Sequence, residues 1–504
     1  MKRIALLFVI LILSIGGAGQ AMAYPMSEQK SSIVEDPALE TGLKLILNKP
    51  VDASLTPSDL QQLTVVDLSN MGIQSLAGLE YATNLTHLRL YGNELSDLTP
   101  VAHLTKLREI DVRNNYITSI DALGELQNLG RLYISNNSVT SIAVVRAFPR
   151  LHTFFASGNG ITSIAPLEHA HDLKRVEVAN NQLTDLSPIS GLTKLQSLNV
   201  ANNRIGSSGS LSELPESLLQ LNVAGNDIVD AEPLAHLTNL RSLDVSNNRI
   251  EQIEAFGALN SLKELNAESN QIYDLRPLAA LKKLQSLKLA DNRIWDLSPI
   301  AKLNLSSGLT NGVQDISASS SAIGSLVPIN EIEPAPLTIQ HNYLDISSGS
   351  QTMQMLNQLN VREQKRSPQG SIQRLTEGST TAYVGEKPYA LDAAPFIDKG
   401  RTYVPLRFVS EHLNASVDWH PATEEVIISQ GDQVIQWAAG HRQVNVNGNT
   451  IVNDAPLLIQ NGKAFVPVRF ISEQLETTVG YLADSRTILI FANKPPAQQP
   501  ALQP

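Results

Sequence analysis

Few residues in this 504-residue chain are spaced for chemistry. His169-Ala170-His171 sets two imidazoles one residue apart, which suits a shared metal ion when a third ligand joins them, but no further histidine lies close in sequence. Arg407 with Glu411, and Arg469 with Glu473, stand four residues apart, where a helical turn would bring them together; they read as surface ion pairs rather than acid–base machinery. The absence of cysteine excludes disulfides, thiolate ligands and a lipid-bearing lipobox thiol. No Ser/His/Asp elbow, zinc-protease helix motif, phosphate loop or glycosidase-type carboxylate pair stands out. The expectation is a binding protein rather than an enzyme, with no catalytic residue, no metal site and no cofactor.

Charge narrows the partners. The chain has 38 Lys and Arg against 49 Asp and Glu, a net charge of −11. Phosphate recognition needs a basic footprint, so nucleic acid is not expected as a partner. Lys2 and Arg3 precede an apolar run from Ile4 to Ile15, and Ala21-Met22-Ala23 has the shape of a signal-peptidase site, so residues 1–23 read as a cleaved export signal. A membrane anchor is the competing reading, and the run is short of the ~20 apolar residues a span requires. No second apolar span and no C-terminal sorting signal are visible. The expected location is secreted or cell-envelope associated, with no transmembrane segment after cleavage.

The elements that must position any binding residues show themselves through one recurring amide. Asn93, Asn115, Asn137, Asn159, Asn181 and Asn203 are 22 residues apart; after one extra residue, Asn226, Asn248, Asn270 and Asn292 resume that spacing. An apolar frame travels with them, from Leu85-Leu88-Leu90 to Leu284-Leu287-Leu289. An earlier unit has Met71 where the amide would stand, as expected of an atypical terminal repeat. This L-x-x-L-x-L-x-x-N-x-L pattern is that of leucine-rich repeats. Each unit is a short strand plus a return segment, and it buries its apolar face only against its neighbours. The bend after the strand leaves backbone groups inside the coil, and an asparagine offers two donors and an acceptor to satisfy them. The asparagine ladder is therefore expected to be structural.

Pro100, Pro166, Pro188, Pro233, Pro277 and Pro299 each follow, three residues on, an acidic or hydroxyl residue (Asp97, Ser163, Asp185, Asp230, Asp274, Asp296). That is the signature of a short helical turn with its start capped. With "NLTHLRLYGNELSDLTPVAHLTKL" as a near-consensus unit, residues 35–346 resemble the internalin-type, 22-residue leucine-rich repeats of bacterial surface proteins. The resemblance implies protein binding on the concave face and says nothing of which ligand. The predicted fold is an α/β-type solenoid: a horseshoe with a parallel concave sheet and short helical turns on the convex side. A helical cap is expected at 24–62 and the array at 63–346, with about 11–12 units and an irregular Ser/Gly/Ala-rich stretch at 303–336. Leu337, Ile339, Asn342, Leu344 and Ile346 recover a last strand, and 347–373 reads as a polar linker.

A second duplication follows. "TYVPLRFVSEHL" (402–413) returns as "AFVPVRFISEQL" (464–475), each copy followed by an alternating strand, "EEVIIS" and "RTILIFA". A small C-terminal α+β domain is predicted at 374–493, before a Pro/Gln tail at 494–504. The V-P-[LV]-R-F cores and "VDWHPATEEVII" resemble the copper amine oxidase N-terminal-like, or stalk, domain of secreted Gram-positive proteins. In the amine oxidases, that resemblance implies, copper and the quinone belong to another domain. Two decoys fit this reading. His169 and His171 lie on a return segment, and Asn342-Tyr343 is followed by Leu344 where a quinone motif would need an acid. The two halves are expected to fold separately, since the linker is polar and each closes its own core.

In each x-L-x-L-x strand the alternate positions face the concave surface. They give His87, Arg89, Tyr91 in the second unit and Glu109, Asp111, Arg113 in the third. Arg131, Tyr133, Ser135 follow, then Thr153, Phe155, Ser157, then Arg175, Glu177, Ala179. Later units give Ser197, Asn199, Gln220, Asn222, Ser242 and Asp244. The aromatic and cationic choices gather in the early units, and the ligand-binding set expected from them is His87, Arg89, Tyr91, Arg113, Arg131, Tyr133, Phe155 and Arg175. A protein ligand is expected, with the C-terminal domain as stalk or envelope module. A cell-wall glycan is the alternative, which the scarcity of tryptophan on that face disfavours.

Overall fold

The structure is a computed structural model that describes residues 32–206, 209–303, 305, 337–339, 342–344, 350–358, 371–475, 477–483 and 485–492. The export signal at 1–23, nearly all of the irregular stretch and the tail at 494–504 lie outside the described residues.

Twelve short strands, from Val65–Asp67 to Leu337–Thr338, form one parallel sheet in chain order. The register places equivalent residues side by side, Leu88 against Ile110, Ile110 against Leu132 and Leu132 against Phe154. These central residues are fully buried in one core that runs the length of the coil. The first eleven strands are three residues long and the last is two, because the chain must turn twice per unit. The first turn uses a left-handed residue directly before the ladder amide: Asn114 (φ 53°), Asn136 (φ 56°), Asn180 (φ 53°) and Asn202 (φ 54°), with Gly92 and Gly158 at the same phase. Asparagine tolerates that conformation better than most side chains. At Gly158 a Cβ would stand 2.4 Å from Asn136 Oδ1, so the neighbouring amide also demands glycine there.

The ladder amides close the turn. Asn93 Oδ1 accepts from Met71 and Ile73 N–H, both at 3.0 Å, and its Nδ2 donates to Leu68 and Leu90 carbonyls, both at 2.9 Å. Asn181 repeats the pattern with Ile161 N–H and the Ala156 and Val178 carbonyls, each at 3.0 Å. The last rung is Asn342, which accepts from Ile294 N–H at 2.9 Å and donates to Leu289 and Ile339 carbonyls at 2.8 and 2.9 Å. Each amide thus joins two coils through backbone groups that no sheet ladder could reach.

On the convex side the return segments form 3-10 turns, such as Thr99–Val101 and Ser187–Ile189, with proline at their start. Asp97 accepts from Thr99 N–H at 2.8 Å, and Asp185 from Ser187 N–H at 2.9 Å. At the N-terminal end, helix Pro37–Ile46 covers the first coil. Asp36 caps it through Ala38 and Leu39 N–H, while its other oxygen accepts from Gln74 and Ser75 N–H of the first repeat. Burial pushes this carboxyl up, but four N–H donors outweigh it and hold it below the usual range.

The second domain is a more extensive duplication than its identical residues suggest. A 62-residue offset relates every element of 371–430 to one of 433–492. Strand Ser371–Thr376 corresponds to Gln433–Ala438, Arg401–Pro405 to Lys463–Pro467, and helix Leu406–Glu411 to Val468–Gln474. The copies are interlocked. Ser371–Thr376 of the first pairs with Thr487–Ala492 of the second, and Gln433–Ala438 of the second with Glu425–Gln430 of the first. Two five-stranded sheets and a four-stranded sheet across the centre result. One core, around Trp437, Val404 and Val466, serves both copies. The expected pairs Arg407–Glu411 and Arg469–Glu473 are not among the ion pairs of the described residues. Instead Arg401 pairs with Asp454 and Lys463 with Asp392, both at 2.8 Å and both between copies.

The two halves meet through an apolar junction that a polar linker did not suggest. Tyr273 and Tyr343 of the array are buried with Ile372, Leu489 and Phe491 of the second domain. The Tyr343 and Phe491 rings lie 4.9 Å apart, and Arg374 stands 4.5 Å from the Trp295 ring centroid.

Candidate functional site

The concave strand positions form columns across the sheet. In the first column His87, Glu109, Arg131, Thr153 and Arg175 are neighbours; in the second, Arg89, Asp111, Tyr133, Phe155 and Glu177. The third holds Tyr91 and Arg113, two residues beyond the ends of their strands.

These side chains form a lattice rather than a row of free cations. Glu109, 4% exposed, is clasped from both sides: Arg89 Nε donates at 2.8 Å and Arg131 Nη1 at 2.9 Å. Burial pushes the Glu109 carboxyl up, but the two guanidinium bonds win and its pKa is lowered. Arg113 donates to Asp111 through Nε at 2.8 Å and lies between two rings, 5.5 Å from the Tyr91 centroid and 5.3 Å from that of Tyr133. Burial alone would lower the Arg113 pKa, and the Asp111 contact more than restores it. Asn114 Nδ2 donates to the Tyr91 hydroxyl at 3.0 Å, which fixes the outer ring. The arginines singled out as cationic contacts are therefore largely balanced by carboxylates on the same face. What remains for a ligand is the half-exposed edge of His87, Tyr91, Tyr133 and Arg175 and the outer faces of Arg89 and Arg131.

Phe155 is not an exposed contact. It occupies an outward position but is only 4% exposed, because the Tyr133 ring meets it edge-on at 5.1 Å on a curved, crowded sheet. Its role is to seat Tyr133. Beside it, burial raises the pKa of Glu177, and Arg113 and Arg175 only partly offset that. In the seventh to ninth units the face is small and polar, with Asn199, Asn222 and Asp244 turned to their own following N–H groups at 3.1, 2.9 and 2.9 Å.

His169 sits on a convex turn, 3.1 Å from Glu168, and both are exposed. Among the described residues no three histidine, cysteine or carboxylate side chains come together as a metal-binding group. Nor is any helix of the described residues long and apolar enough to cross a membrane.

The comparisons agree with this architecture. Residues 83–125, 105–147, 171–216, 216–258 and 260–302 match leucine-rich repeats (two copies), and 375–490 match the copper amine oxidase N-terminal domain. An internalin (InlF) of Listeria monocytogenes is similar at 27% identity, over 65% of this chain and 87% of that one, with a TM-score of 0.55. Internalin C2 of the same organism is also 27% identical, over 54% and 92% of the two chains, with a TM-score of 0.24. Repeat, ladder and solved relative converge: the chain carries leucine-rich repeats of the internalin type, followed by a copper amine oxidase N-terminal domain.

Proposed function

We propose that the chain is a non-enzymatic recognition protein, exported to the cell surface or medium, that binds a protein on the concave face of its second to sixth repeats. The observation that supports this reading is the Tyr91–Arg113–Tyr133 sandwich seated on Phe155. Aromatic and arginine side chains held rigid before a partner arrives lose little freedom on binding, which is what interface hot spots require. Outward sheet positions beyond those that hold this lattice together are free for a partner, and the seventh to ninth repeats carry small polar residues there. The near-balance of charge in the lattice, four arginines facing Asp67, Glu109, Asp111 and Glu177, favours a mixed-polarity protein surface over a polyanion. The second domain, docked at the far end of the array, leaves this patch uncovered and serves as stalk or envelope module.

The test is capture of partners from secreted and surface protein fractions by the wild-type chain and by a Tyr91→Ala/Tyr133→Ala double variant. Loss of a hot-spot aromatic typically costs ≥ ~2 kcal/mol of binding, so partners bound by the wild type should disappear. The matched control is Asn199→Ala with Asn222→Ala and Asp244→Ala. Loss of binding in the control but not in the tyrosine variant would place the site elsewhere.

A further inference from the structure

The three tryptophans of the chain are used differently. Trp437 is fully buried and donates Nε1 to the His441 carbonyl at 2.7 Å. Trp295 lies under Arg374 at the junction. Trp419 is 43% exposed and overhangs a slot of about 200 Å³ in the second domain. Val417, Ile459 and Ala464 give the slot an apolar side; Arg407, Asp392 and Lys463 give it a charged one. Lys463 is matched by Asp392 at 2.8 Å. Arg407 is exposed, and no ion pair of the described residues engages it, so it is the slot's unbalanced charge.

The duplication supplies a comparator inside the same molecule. Shifting by 62 residues turns Trp419, Arg407, Asp392 and Lys463 into Tyr481, Arg469, Asp454 and Arg401, which line a second groove. There the array itself forms the far wall with Glu251, Gln252 and Tyr273. The array supplies one wall of the Tyr481 groove and none of the Trp419 slot.

The sheets beside the two slots differ in the face they offer the array. On the docked sheet the outer face carries Ile372, Leu482, Leu489 and Phe491 against the array. The equivalent positions on the open sheet are Val434, His420, Ile427 and Ser429. Ser416, Asp418 and His420, on the strand that carries Trp419, are all exposed. The apolar platform a protein would cover has been diluted, yet the aromatic at the slot is larger than its twin and stays as exposed, 43% against 38% for Tyr481. An indole kept exposed on a wet flank suits a small ligand with one apolar face and a polar rim.

We propose that this slot binds a carboxylate-bearing sugar ring. A pyranose presents a C–H face to the indole and hydroxyls to Asp392 and Lys463, and its carboxylate finds a two-pronged donor in Arg407. The site is separate from the concave patch, and its failure would leave the recognition reading untouched.

The test uses the full chain titrated with three probes: a glucuronate disaccharide, an N-acetylmuramyl disaccharide and neutral cellobiose. Calorimetry or amide NMR shifts give the affinities. At least one acidic probe should bind, with cellobiose about tenfold weaker or more; which acid binds distinguishes the two sources of the carboxylate. Trp419→Ala should abolish binding of all probes, and Trp419→Phe should keep part of it. Arg407→Gln should bring acidic and neutral probes to within about twofold of each other, since it removes the charge and keeps the stacking. Trp419 and Arg407 are exposed, so melting curves should be unchanged. The proposal is overturned if neither acid binds, if Trp419→Ala still binds, if Arg407→Gln keeps the preference, or if Trp419→Ala instead loses a captured protein.

Discussion

The apolar junction between the halves can be released by borrowing residues from the molecule's own twin sheet. Phe491, 2% exposed, packs 4.9 Å from Tyr343 and 6.1 Å from Tyr273, measured between ring centroids. Its twin in the other sheet is Ser429, and the register is equivalent: Phe491 faces Ile372 as Ser429 faces Val434. Leu482 likewise corresponds to His420. The double variant Phe491→Ser/Leu482→His therefore installs side chains that the same backbone already carries elsewhere. The loss should fall on the junction and spare the sheet. Removing a buried phenylalanine side chain costs about 3–5 kcal/mol, and the added serine and histidine would have to be desolvated to restore contact. A docking contact within one chain starts from a millimolar-range effective concentration and needs little intrinsic affinity. Even so, a loss of that size should leave the open arrangement dominant. Small-angle scattering should show a larger radius of gyration, and calorimetry should resolve two transitions where the wild type shows coupled melting. An unchanged radius with coupled melting would refute the assignment of docking to Phe491. Loss of the second domain's own transition would refute the argument from the twin.

Three further outcomes follow from the same geometry. Asn181→Leu strands the buried Ile161 N–H, while the Ala156 and Val178 carbonyls each lose one amide donor and keep that of Asn159 or Asn203; at ~1–3 kcal/mol for the stranded group the urea midpoint should fall, and a loss below ~1 kcal/mol would disprove the ladder's role. Glu177→Gln should raise the melting temperature near neutral pH, because burial raises this group's folded pKa. Between the ordinary and the raised value the folded state holds a proton that the unfolded state has lost, so stability declines as pH rises through that window; the gain should vanish in acid, and a lower melting temperature at neutral pH would contradict it. Asp36 is the opposite case, its pKa lowered by four backbone donors, so its stabilisation is present above the ordinary pKa and fades as pH falls through the depressed one. Asp36→Ala should cost about 0.5–2 kcal/mol as a cap and flatten the acid limb of the melting profile; an unaltered limb would exclude the proposed linkage.

The repeat was legible because a coil of constant length repeats its constraints at constant spacing. The ladder amides and the capped prolines could be read off one column at a time. Lateral contacts were not legible in the same way. Glu109 meets Arg89 and Arg131 across strands, and Phe155 is buried by Tyr133 from the strand before it, so exposure inferred from alternation alone was misleading. The junction does leave a signal in the sequence. Three residues past the ladder amides stand Ser96, Thr118, Thr140, Thr162 and Thr184, and then, after Gly206, Val229, Glu251, Tyr273 and Trp295. Small hydroxyls give way to large side chains where the second domain lands. In that domain only the identical V-P-x-R-F cores revealed the duplication. The flanking strands share positions and conformation, such as Lys399 and Asn461 at φ 50° and 51°, but few residue types.

The interlocked strands set an order of events for a chain emerging end first. Strand Ser371–Thr376 obtains its second neighbour only when Thr487–Ala492, the last strand of the domain, has been delivered. Until then half of the domain has an open edge and an unfilled core, and no intermediate length of chain offers a finished unit. Pairings that close so late in sequence are slow to form, and an unpaired edge invites association with other chains in the interval. Cutting the chain between the two copies should therefore yield two sticky fragments rather than two small domains, and mixing them should be what makes both soluble.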